Sequence, residues 1–173
     1  MCGIVAAVGS DNVLPILMEG LKRLEYRGYD SAGVALVEAP GKLGRAREVG
    51  KVAALERLLS AAPLTGLTGV AHTRWATHGE PSQDNAHPHV SGRIAVVHNG
   101  IIENHQALKA ELIADGYVFT SATDTEVVAH LVERELKVHG ELLAAVGAAV
   151  SRLEGAYALG VIDADRPDRV VCA

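Results

Sequence analysis

Apolar and polar positions change period repeatedly along the chain, and each change marks a predicted element. Residues 2–8, CGIVAAV, form a short unbroken apolar run that stops at Gly9-Ser10-Asp11, as a buried strand does. Val13, Ile16, Leu17, Leu21 and Leu24 then recur at three- and four-residue spacing, which predicts an amphipathic helix over 12–25. SAGVALVEA (31–39) predicts a second strand, turned by APGK, and a helix follows at about 51–61. GVAHTRW (69–75) and IAVVHNG (94–100) read as strands, the latter ending in Asn-Gly, residues that tolerate positive φ. Helices are predicted at about 104–115 and 124–139, the second opening on Thr123-Asp124-Thr125-Glu126, a capping box of the S/T-x-x-E form. Leu142, Val146, Ala149, Val150 and Leu153 mark another helix, and AYALGVID (156–163) and DRVVCA (168–173) two more strands. Repeats and linkers are absent. The chain stops inside a predicted strand, which leads us to expect a longer protein of which this is a part.

Composition narrows this picture. The 173 residues, 49% of them hydrophobic, suffice for one domain with a sizeable core. A net charge of -5 argues against a nucleic-acid surface, which needs a clustered basic face. The richest apolar run, LLAAVGAAV at 142–150, is far short of a membrane span, and no basic region of a signal peptide precedes 2–8. Only Cys2 and Cys172 are present, at opposite ends, which is no disulfide framework and fits a reducing cytoplasm. Those observations alone describe a cytoplasmic α/β domain.

The chemistry lies in the punctuation. A small residue after Met1 lets methionine aminopeptidase remove the initiator, leaving Cys2 with a free α-amine. A thiol of pKa ~8.5 needs a base at neutral pH, and an α-amine of pKa ~7.7–8.0 is partly neutral there. An N-terminal cysteine thus carries nucleophile and base on one residue, although a small buried strand residue is the ordinary reading. AHTRWATHGEPSQDNAHPH (71–89) holds four histidines whose spacing matches no zinc signature, so no metal is expected. Its Arg74 offers a guanidinium fork matched to a carboxylate and Trp75 a pocket wall; a surface ion pair is the plain alternative. In HNGIIEN (98–104), Asn99 and Gly100 can aim a side-chain amide and a backbone N–H at one point, as an oxyanion requires, or form a simple turn. Asp124 opens a helix, where a carboxylate is favoured anyway, yet it also suits a substrate ammonium. Together these are the parts of an amide-cleaving site that reads an amino acid.

The motifs Cys2-Gly3-Ile4, YRGYDSAG (26–33), HTRWATHG (72–79), HNGIIEN (98–104) and SATDTE (121–126) resemble, in order and spacing, the glutaminase domain of the glutamine–fructose-6-phosphate aminotransferase family. That family is a branch of the class II, N-terminal-nucleophile amidotransferases. CGI and HNG belong to the whole class, whereas YRGYDSAG and HTRWATHG point to this branch rather than to amidophosphoribosyltransferases. The resemblance implies an α+β fold, a four-layer α/β/β/α sandwich, with residues 1–173 a partial amidotransferase domain. It implies that Cys2 attacks the side-chain amide of L-glutamine and that Asn99 and Gly100 hold the oxyanion. Arg74 would clamp the α-carboxylate with Thr77 and His78 beside it, Asp124 would take the α-ammonium, and Trp75 would line the pocket. Arg27 would support the nucleophile from behind, and His72, His87, His89 and His98 would be structural. It further implies no cofactor, a homo-oligomeric full-length protein, and fructose 6-phosphate bound only by isomerase domains outside these residues. A glutamine-binding module without catalysis, or the same site serving another acceptor, are the alternatives.

Overall fold

The computed structural model describes residues 2–75 and 79–173. Two antiparallel sheets of four strands pack face to face. The first has the order β1-β4-β2-β3, formed by Gly3–Val8, Thr68–Arg74, Ser31–Ala39 and Lys42–Val49. The second has the order β5-β6-β7-β8, formed by His89–Ser91, Ile94–Ile102, Gly155–Asp163 and Val171–Cys172. Helices α1 (Leu14–Leu24) and α2 (Val52–Ala61) cover the outer face of the first sheet. Helices α3 (His105–Ala114), α4 (Thr125–His139) and α5 (Leu142–Val150) cover the second. The four-layer α/β/β/α arrangement implied by the resemblance is the observed one.

Alternation explains the layering. In β2, Val34 and Leu36 face α1 and α2 while Ala35 and Val37 face the opposite sheet, and all four are buried. A strand covered on both faces reads as a continuous apolar run, which is why β2 and the start of β6 show no polar side. On α1 the buried residues Val13 (at its N-cap), Leu17 and Leu21 recur every four positions; on α2 Val52, Leu55 and Leu59 do the same job at three and four. Each such fully buried aliphatic side chain contributes on the order of 1.5–3 kcal/mol.

The same alternation aims the polar residues. Ile4, Val70 and Val97 belong to the central layer between the sheets. Cys2, His72 and Asn99, each two residues along its strand direction from one of these, therefore lie on the inner faces at one end of the sandwich. His98 faces the other way, toward α4, where its Nδ1 is 2.8 Å from the Thr125 hydroxyl.

Three expectations change. β3 has no counterpart in the predicted elements, because Lys42, Arg45, Arg47 and Glu48 interrupt its apolar pattern; it forms as the hairpin partner of β2 at the sheet edge. The three-residue β5 is likewise defined only by its pairing with β6. The capping box at α4 does not close reciprocally. Asp124 occupies the N-cap, and Glu126 reaches back beyond Thr123 to accept from the backbone N–H and hydroxyl groups of both Thr120 and Ser121. Burial would raise its carboxyl, but the His130 ring 3.7 Å away, together with those bonds, holds it far below the usual carboxylate range.

Candidate active site

Strand register brings Cys2 to its neighbours. Gly3 pairs with Thr73 and Ser31 with Arg74, so the residue before β1 meets the residues that end β4. The Cys2 thiolate-forming sulfur accepts from the Trp75 N–H at 3.2 Å, and lies 3.5 Å from the Trp75 carbonyl oxygen. Burial pushes the thiol up from its ordinary value, against the opposing pull of the Trp75 N–H. A thiol so placed has all the more need of a base.

Asn99 stands on β6 across from Cys2. Its Nδ2 donates to the Cys2 carbonyl at 3.2 Å, and its Oδ1 lies 2.9 Å from His72 Nε2. A carbonyl can only accept, so the amide nitrogen must face Cys2; the amide oxygen then faces His72, which must be the Nε2–H tautomer. Burial depresses His72 to about 3, so the ring stays neutral through the physiological range. Gly100 follows at φ +125, and a Cβ there would sit 2.1 Å from the Ala156 carbonyl oxygen on β7. Only glycine lets β6 bring its backbone this close to β7 in that conformation.

Arg74 is 4% exposed, with Nη2 donating to the Gly79 carbonyl at 2.8 Å and Nη1 to Glu80 at 3.4 Å. Asp30, from the segment following Arg27, lies 3.9 Å from the same guanidinium. Asp124 is also 4% exposed; its Oδ2 accepts from the Ile102 N–H at 2.9 Å. Trp75, 47% exposed, stands edge-on to Tyr29 with ring centroids 5.2 Å apart.

One cavity of about 540 Å³ is lined by Cys2, Arg27, Arg74, Trp75, Asn99, Gly100 and Asp124 together. Thr77 and His78 lie outside the described residues. The cavity is completed by groups that the motifs did not single out as lining residues: Thr123 and Thr125 at the start of α4, His98 and Ile101 from β6, His87, and Ala156, Tyr157 and Ala158 from β7. Ala158 pairs with Asn99 and Tyr157 with Gly100, a wall that only the register reveals. The small residues of AYALG are its one trace in the sequence. His72, His87 and His89 form a buried layer at the back of the site, with His87 reaching the cavity wall: His72 and His87 rings are 4.2 Å apart, His87 and His89 5.0 Å, and His89 Nε2 is 2.9 Å from the Thr123 hydroxyl. Among the described residues no group of three or more His, Cys, Asp or Glu is placed to hold a metal ion, and no helix is long and apolar enough to cross a membrane.

Residues 72–173 match a family model described as a glutamine amidotransferase domain. Over its whole length the chain is 60% identical to a glutamine–fructose-6-phosphate aminotransferase (isomerizing) of Pseudomonas aeruginosa, of which it covers 28%. It is also 60% identical to the protein so named in Vibrio vulnificus, again covering 28% of it. The chain thus spans about 28% of the length of the curated relatives it matches. Among solved structures it is similar to a glutamine phosphoribosylpyrophosphate amidotransferase from B. subtilis, at TM-score 0.77 and 28% identity, covering 94% of this chain and 35% of that one.

Proposed function

The chain belongs to the glutamine amidotransferase domain family, and from that premise we propose that its cleft is the glutaminase site of a cytoplasmic glutamine–fructose-6-phosphate aminotransferase. The observation that carries the reading is the convergence of Cys2, Asn99, Gly100, Arg74 and Asp124, from separate motifs, on a single cavity. Identity of 60% to aminotransferases of that name, against 28% to the phosphoribosylpyrophosphate enzyme, favours fructose 6-phosphate as the final acceptor.

Removal of Met1 turns the Cys2 nitrogen from an amide into an amine. The amine takes the thiol proton, and the sulfur attacks the side-chain amide carbon of L-glutamine. Negative charge develops on the amide oxygen, where the Asn99 Nδ2–H and the Gly100 N–H receive it. Loss of one such donor typically costs ~100- to 1,000-fold in rate. The resulting ammonium returns its proton to the leaving nitrogen, ammonia departs, and a γ-glutamyl thioester remains. Water, deprotonated by the same amine, releases glutamate and restores the thiol. Arg74 and Asp124 hold the α-carboxylate and α-ammonium, Thr77 and His78 are assigned to the carboxylate end by the motif resemblance alone, and Arg27 backs the nucleophile. Isomerase domains beyond these residues, in a homo-oligomer, would use the ammonia. In the processed protein, Cys2→Ala should abolish glutamate release while calorimetric glutamine binding persists; turnover at the parent rate would sink the mechanism.

A further inference from the structure

Asn85 lines no part of the cleft, yet its side chain joins the segment that receives the Arg74 guanidinium to the segment that leads into Asp124. Its amide, 6% exposed, donates from Nδ2 to the Glu80 carbonyl at 2.9 Å and accepts at Oδ1 from the Ala122 N–H at 2.8 Å. The two ends cannot be exchanged, since a carbonyl only accepts and an N–H only donates. Its own N–H donates to the Ser82 hydroxyl at 3.2 Å, which fixes the residue locally.

On one side of this bridge, the carbonyls of Gly79 and Glu80 accept from the Arg74 guanidinium. On the other, Ala122 stands two residues before Asp124. Gly79 packs directly on the bridge: at φ +77, a Cβ there would lie 2.6 Å from Asn85 Nδ2 and 3.2 Å from the Ala122 Cβ. Arg74 ends a strand of the first sheet, whereas Asp124 caps a helix packed on the second. No ladder hydrogen bond within either sheet fixes the distance between them. An α-amino acid presents carboxylate and ammonium from one carbon, so the two receiving groups must keep one separation.

We propose that Asn85 is the positioning residue that sets the spacing of Arg74 against Asp124, and with it the selectivity of the cleft for a free α-amino acid. The inference rests on the glutaminase reading. Losing two buried hydrogen bonds, which strands the Ala122 N–H and leaves the Glu80 carbonyl only its long bond from Arg74, should loosen substrate binding at both charged ends, an interaction made equally in ground and transition state. Removing uniform binding raises KM and leaves kcat in place.

The test is steady-state glutamate release by the processed protein, with Asn85→Ala and Asn85→Asp beside the parent. Asn85→Asp keeps the acceptor for Ala122 but sets a carboxylate oxygen against the Glu80 carbonyl, so it breaks the Arg74 side of the bridge alone. Both variants are expected to raise KM for L-glutamine about 10- to 100-fold with kcat within about twofold. The rate at which iodoacetamide alkylates Cys2, read by peptide mass, should be unchanged, because that reagent engages neither Arg74 nor Asp124. Parent-like KM in either folded variant would overturn the inference. So would a fall in kcat with a matching loss of Cys2 alkylation, which would mean general collapse of the site. A parent protein that releases no glutamate would instead overturn the glutaminase reading, and the inference with it.

Discussion

Lowering the pH should destabilise this protein through its buried histidines. His72 and His89 are each depressed to about 3, chiefly by burial, and His87 falls well below its ordinary value for the same reason. In the unfolded chain a histidine titrates near ~6.5. The folded state therefore binds fewer protons than the unfolded state between those limits, and stability is lost as pH falls from about 6.5 toward about 3. For a group with those two values the loss relative to pH 8 is about 1 kcal/mol at pH 6 and about 2 kcal/mol at pH 5. His72 and His89 together then cost about 4 kcal/mol at pH 5, with His87 adding to it, against a typical total stability of about 5–15 kcal/mol. Glu126, held far below the usual carboxylate range, contributes a further loss of the same sign under more acid conditions. Urea unfolding followed by far-UV circular dichroism at pH 8, 7, 6 and 5 measures this directly. The midpoint should barely move from pH 8 to 7 and then fall steeply. An unfolding free energy equal at pH 8 and pH 5 would refute the claim that these rings are buried and neutral.

Gly100→Ala should lower stability by more than about 2 kcal/mol and remove glutaminase activity, because the new Cβ meets the Ala156 carbonyl at 2.1 Å and φ +125 is strained for any other residue; thermal unfolding and glutamate release check both. His72→Phe removes the donor that orients the Asn99 amide, and should cut kcat about 10- to 100-fold with little change in KM, less than outright loss of an oxyanion donor. An unchanged kcat would show that Asn99 keeps its orientation without His72.

Much of this was legible in the sequence, and for definite reasons. β2 and the start of β6 are covered on both faces, so their apolar runs are unbroken, and α1 and α2 show clean one-sided spacing. The cleft's Cys2 immediately precedes β1, Arg74 ends β4, and Asn99 and Gly100 lie in the last part of β6, where a motif is easy to see. β3 was hidden by its charges: Arg47 is turned inward to donate to the Asp84 and Ala86 carbonyls, an environment that alternation cannot foretell. The capping pattern at Thr123–Glu126 misled because Thr123 is engaged by His89 from a distant strand. The β7 wall and the Asn85 bridge depend on register and long-range hydrogen bonds, and no local pattern encodes either.

The central claim is that Cys2 acts as nucleophile only when it carries the free α-amine. It is tested most directly by resolving one preparation by intact mass into forms with and without Met1, and measuring glutamate release from L-glutamine by each. The account predicts turnover confined to the form that begins at Cys2. Equal turnover by the form that retains Met1 would contradict it.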